Sequence, residues 1–85
     1  MSVELSNDGT IDLSGLCPLE DAEELLRLIL GNPGSPVDWS DCGEAHTAVI
    51  QVLVAARPVL RGSPAGSFLR TWIEPLMKGE DIARP

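Results

Sequence analysis

The chain is poor in the residues from which active sites, metal centres and membrane anchors are usually built. With one histidine in 85 residues, a catalytic dyad would need His46 to activate Ser40, Thr47 or Cys42, with a further group to orient it and a pocket for substrate. No enzyme is expected on that basis, and no catalytic residue is assigned. The two cysteines, Cys17 and Cys42, are too few for a disulfide framework, and their settings, Leu-Cys-Pro and Asp-Cys-Gly, lack the paired spacing of a metal site. They read as reduced thiols lying in unrelated elements. Asp38, Asp41, Cys42 and His46 are close enough in sequence to suggest zinc. However, Gly43 interrupts any helix through Cys42 and no second ligand pair exists, so no metal is expected. Neither a Gly-x-Gly-x-x-Gly fingerprint nor a phosphate-binding loop with its lysine occurs, which excludes a nucleotide site of a known kind, and no cofactor is implied.

Basic residues are also scarce. Six Lys and Arg stand against 13 Asp and Glu, for a formal charge of −7. Arg27, Arg57, Arg61, Arg70, Lys78 and Arg84 are scattered rather than clustered, which argues against nucleic acid and leaves a basic partner surface as the better electrostatic match. The apolar runs fall far short of the roughly 20 residues a bilayer needs. Met1-Ser-Val-Glu-Leu-Ser has neither a basic start nor an apolar stretch behind it. A soluble, cytoplasmic protein with no direct membrane insertion is therefore expected.

What is present is enough for one small core, because 44% of the residues are hydrophobic. A single domain over residues 1–77 with a polar, frayed tail over 78–85 is expected. Val3-Glu4-Leu5-Ser6 and Thr10-Ile11-Asp12-Leu13-Ser14 alternate apolar with polar around Asn7-Asp8-Gly9, which reads as a hairpin with one buried face. Pro18 suits the first position of a helix over Leu19–Leu30, whose acids crowd the favourable end. Its expected inward stripe is Leu19, Ala22, Leu26 and Ile29, widened by Leu25 and Leu30, with Glu20, Asp21, Glu23 and Glu24 in water. Gly31 to Pro36 breaks the chain.

Val37-Asp38-Trp39 then reads as a short buried strand, Asp41 to Glu44 as a polar turn, and Ala45 to Arg57 as a largely buried helix closed by Pro58. Val59-Leu60 is expected as a short strand. A last helix, about Ala65 to Met77, places Phe68, Leu69, Trp72, Ile73 and Leu76 on one side, with Pro75 bending or ending it. Both tryptophans are expected to be largely buried. Thr47 is the residue of most interest, because it carries a hydroxyl into the first turn of the second helix, where backbone N–H groups and the helix dipole favour an added phosphate. Its plainer role there is to cap the helix.

The order strand, strand, helix, strand, helix, short strand, helix implies an α/β fold with a small mixed sheet and helices packed on one face. Over nearly its whole length the chain resembles the STAS domains, the family of sulphate transporters and anti-sigma-factor antagonists. Val37-Asp38-Trp39-Ser40 is similar to the family's Asp-apolar-Ser strand, and His46-Thr47-Ala48-Val49-Ile50 stands in the place of its Asp-Ser-Ser-Gly-Leu signature. His46 replaces the acid, Ala48 the second serine and Val49 the glycine. The resemblance places the family's phosphorylated serine on Thr47. It implies a non-catalytic partner-switching module of bacterial signal transduction, whose face of Asp41, Glu44, His46, Thr47 and Ile50 binds an anti-sigma factor or serine kinase and is released by phosphorylation. The alternative it implies is a constitutive accessory subunit bound to the ATPase of a transporter, without phosphoregulation.

Overall fold

Alternating residues on either side of a glycine turn start the fold. In the computed structural model, which describes residues 2–77, β1 (Val3–Leu5) pairs antiparallel with β2 (Ile11–Cys17), setting Val3 opposite Leu13, Glu4 opposite Asp12 and Leu5 opposite Ile11. Gly9 makes the turn at φ +89°, its N–H donating to the Ser6 carbonyl at 3.1 Å, while Thr10 N–H donates to Asp8 Oδ1 at 2.9 Å. These contacts hold the Asp8 carboxyl below its ordinary range, the Thr10 N–H being the largest cause. The tail expected over 78–85 lies outside the described residues.

Helix α1 (Glu20–Gly31) starts two residues past Pro18, with acids in its first turn. Asn32 stops it by donating its side-chain amide to the Leu28 carbonyl at 2.9 Å, and Pro33 bars continuation. The helix is rotated from the expected stripe. Ala22 and Leu25 are buried, with Leu28 and Ile29 packed beside them, whereas Leu19, Leu26 and Leu30 stay exposed. Asp21 is buried as well, accepting a hydrogen bond from the Ser2 hydroxyl instead of facing water. A helix apolar on several sides can bury only the stripe that meets a narrow sheet.

The next strand is much longer than expected. β3 runs from Val37 to Ala45, so the anticipated polar turn at Asp41 to Glu44 is strand. It pairs parallel with β2, and the register slips twice: Asp12 faces Asp38 while Ser14 faces Asp41, and Gly15 faces Cys42 while Leu16 faces Glu44. Each slip is an extra residue on β3, a bulge that breaks the inward-outward alternation. Trp39 and Cys42 both point into the core, with exposed Ser40 and Asp41 between them.

Helix α2 (Thr47–Ala56) follows, and Arg57 ends it in the left-handed region at φ 51°, its N–H donating to the Leu53 carbonyl at 2.9 Å. Only Val49 and Leu53 are fully buried, so this helix is less enclosed than its composition suggests. The two-residue β4 (Leu60–Arg61) adds parallel to β3, completing the order β1-β2-β3-β4. The result is an α/β fold, a small mixed sheet with α1 and α2 packed side by side on one face, compatible with a STAS-like arrangement.

The last helical segment, over residues 67–77, contains a π-helical turn (Leu69–Ile73) and then α3 (Glu74–Met77). Pro75 explains the widening, since it has no N–H for the carbonyl four residues back and its ring crowds that carbonyl. The preceding turn opens instead to the longer bond from Glu74 N–H to the Leu69 carbonyl. Leu69 enters the core with Ile73 and Met77 behind it. Phe68, Trp72 and Leu76 face out, so Trp72 is 64% exposed where burial was expected, while Trp39 is 1% exposed. Among the described residues, no helix is long and apolar enough to cross a membrane.

Candidate functional site

The junction of β3 and α2 is tied down by His46. Its backbone N–H donates to the Cys17 carbonyl at 2.8 Å, extending the β2–β3 pairing by one bond. Its φ and ψ of −59° and 148° are those of an extended residue, and its Nδ1 accepts the Ala48 N–H at 3.0 Å. Its carbonyl then takes the N–H groups of Val49 and Ile50. His46 is therefore the N-cap, a role the sequence left to Thr47, and it satisfies a helix-end donor that would otherwise need water.

Thr47 becomes the first helical residue, and it is exposed. No acid occupies the first turn of α2, so the positive end of its dipole carries no compensating side-chain charge within the helix.

The other candidate residues divide between two surfaces. Glu44, His46 and Thr47 are exposed and contiguous, and Ile50 sits one turn along α2, half-buried against the core. Beside them, Gly43, Glu44 and Ala45 line a hollow with Phe68 and Leu69, and Leu16 lies opposite Glu44 in register. Leu16 and Phe68 are well exposed. Neither stood out in the sequence, where Leu16 falls in the connection between the hairpin and the first helix and Phe68 reads as core.

Asp41 belongs elsewhere. It lines a polar hollow on the uncovered face of the sheet with Glu4, Asp12, Ser14, Asp38 and Ser40. The register sets Glu4 against Asp12, Asp12 against Asp38 and Asp38 against Arg61, a row of three acids ending in a cation. Like charges directly opposite one another repel, and local hydrogen bonds offset this. The Ser6 hydroxyl donates to Asp12 Oδ2 at 2.6 Å, and the Ser40 hydroxyl and N–H both donate to Asp38 Oδ1. The Ser40 hydroxyl is the main reason the Asp38 carboxyl lies below its usual range, with Arg61 adding to it. The signal for this row was the acid at alternate positions of Val-Glu-Leu, Ile-Asp-Leu and Val-Asp-Trp. Between Ser2 and His46 the chain's only cation is Arg27.

The residues from which zinc might be drawn do not converge. Cys42 is buried on the helix side, Asp38, Ser40 and Asp41 lie on the opposite face, and His46 uses Nδ1 as a cap. Among the described residues, no group of three His, Cys, Asp or Glu side chains is placed to hold a metal ion.

Cys42 has a different neighbour. The two cysteines stand in adjacent strands, not unrelated elements, with their sulfurs 3.9 Å apart and both thiols free and buried. The Cys42 S–H, by donating to it, favours the thiolate of Cys17. The Cys42 thiol is in turn pushed up, first by that hydrogen bond and then by burial.

No family profile, characterised protein or solved structure matches the chain.

Proposed function

We propose that this chain is a non-catalytic protein–protein interaction module of the anti-sigma-factor-antagonist kind, whose contact face is the start of α2 and whose switch is phosphorylation of Thr47 by a partner kinase. The observation that carries this reading is the position of Thr47: exposed, first in the helix, at an uncompensated dipole end. A phosphoryl group there gains favourable interactions with the helix, so modification need not disturb the fold. It also adds a charge of about −1.5 to −2 beside Glu44, on a chain already rich in acid.

A partner that covers Glu44, His46, Thr47 and Ile50 would also cover Leu16 and Phe68, giving an apolar centre with a polar rim. The acids of the open sheet face favour a partner of basic surface.

A second reading draws support from Phe68, Trp72 and Leu76, exposed along one side of the last helical segment. Apolar surface of this kind suits a permanent complex, as for an accessory subunit held on a transporter ATPase without phosphoregulation.

The experiment is to recover the protein from its native host, identify what co-purifies, and test Thr47 for phosphate. Thr47→Glu should keep the fold and weaken the partner by about 2 kcal/mol or more, roughly thirty-fold in Kd, while Thr47→Ala should retain it. Equal binding by the parent and Thr47→Glu would leave the permanent complex as the reading.

A further inference from the structure

The buried sulfur pair has no part in the proposed contact, yet it lies directly beneath it. Cys17 closes β2 and Cys42 sits between the two bulges of β3, and the register sets Cys42 opposite Gly15 and Cys17 opposite Ala45. Cys17 keeps the inward alternation of Ile11 and Leu13, and the first bulge turns Cys42 to the same helix-covered face, where the sulfurs are 3.9 Å apart. Neither has a strong polar partner. Cys17 Sγ is 3.9 Å from the Ser2 and Ser14 carbonyls, and Cys42 Sγ is 3.7 Å from the Glu44 carbonyl.

We infer that Cys17 and Cys42 are a reversible thiol–disulfide pair, a modification site that joins β2 to β3 below the start of α2. This rests on the sulfur pair alone and stands whether or not Thr47 is a switch. A disulfide has its sulfurs about 2.0 Å apart, so each must advance by roughly 1 Å between strands that are already hydrogen-bonded.

The oxidant is a small peroxide, which can enter on brief opening of the core. Cys17, whose thiolate the neighbouring S–H favours, attacks one peroxide oxygen; the O–O bond breaks, leaving a sulfenic acid on Cys17 and releasing hydroxide. The Cys42 sulfur then attacks the Cys17 sulfur. The S–S bond forms, the S–O bond breaks, and the departing hydroxide leaves as water with the Cys42 proton. Two thiols and one peroxide give one disulfide and two waters, with both sulfurs oxidised and the peroxide reduced.

The bond would tie together two backbone anchors. The Cys17 carbonyl receives the His46 N–H, and the Cys42 carbonyl receives the Gly66 N–H at 3.1 Å. One holds the start of α2 and the other the start of the last helical segment, so oxidation stiffens the hollow that runs between them.

The test exposes the folded full chain to hydrogen peroxide, then unfolds it with an alkylating reagent and measures intact and peptide masses. The expected product is a monomer lighter by two hydrogens, unalkylated, with the Cys17 and Cys42 peptides linked and released by dithiothreitol. Its far-UV spectrum should be unchanged and its thermal midpoint higher by roughly 10–20 °C. Cys17→Ala and Cys42→Ala, each compared with its serine counterpart in case one fails to fold, should show no such product and no such rise. The inference is overturned if both thiols remain alkylatable, if they advance to sulfinic acid or to linked dimers, or if the internal disulfide lowers the midpoint.

Discussion

Adding one methyl group at Gly66 should detach the last helical segment from the sheet. A Cβ built there lies 1.8 Å from the Gly43 carbonyl oxygen and 2.8 Å from its carbon, both backbone atoms that no rotamer change can move. Ordinary contact requires more than 3 Å, so the two backbones must separate by roughly 1.5 Å. That separation breaks the 3.1 Å bond from Gly66 N–H to the Cys42 carbonyl, at a cost of about 1 kcal/mol. It also draws Leu69, 2% exposed, part-way out of the core, for about another 1–2 kcal/mol.

Gly66→Ala should therefore lose about 2–3 kcal/mol, which in a domain of this size lowers the melting temperature by roughly 10–20 °C. Gly66 does not have a positive φ, so the cost is steric and not conformational. Gly31→Ala is the control. It ends α1 with nothing within 4 Å of the added carbon, and should be neutral or stabilising by up to about 1 kcal/mol. Thermal and urea melts followed by circular dichroism compare the two. A Gly66→Ala melt within about 2 °C of the parent would refute the close docking of the last helical segment on β3.

The capping role of His46 predicts that His46→Ala loses about 1 kcal/mol while His46→Asn and His46→Asp retain the parent's stability; equal urea midpoints for alanine and asparagine would remove the side chain from the cap. The tryptophans should behave as opposites under acrylamide. Trp72→Phe leaves Trp39, buried with its Nε1–H donating to the Gly62 carbonyl at 3.0 Å, and should give blue-shifted emission that quenches weakly. Trp39→Phe leaves the exposed Trp72, which should quench strongly, and comparable protection of the two would contradict the outward placement of Phe68, Trp72 and Leu76.

What could be read along the chain was whatever local chemistry decides. The hairpin at Asn7-Asp8-Gly9, the break from Gly31 to Pro36, the arrest of α2 before Pro58 and the order of elements each depend on a few neighbouring residues. Turn geometry, proline's missing N–H and hydrophobic period act at that range. Thr47 at the head of a helix was legible for the same reason.

Only the tertiary structure decided the rest. Two extra residues in β3 break the alternation by which a strand is recognised, so Asp41 to Glu44 looks like a turn until β2 is laid beside it and supplies the hydrogen-bond partners. The last helical segment is apolar on two sides, and nothing local says which side meets the core; packing chose Leu69, Ile73 and Met77 and left Phe68, Trp72 and Leu76 outside. The meeting of Cys17 with Cys42, and the row from Glu4 to Arg61, join residues that are distant in the chain. Such contacts exist because strands are paired in one register, and that register is settled by the burial of the whole sheet rather than by any segment within it.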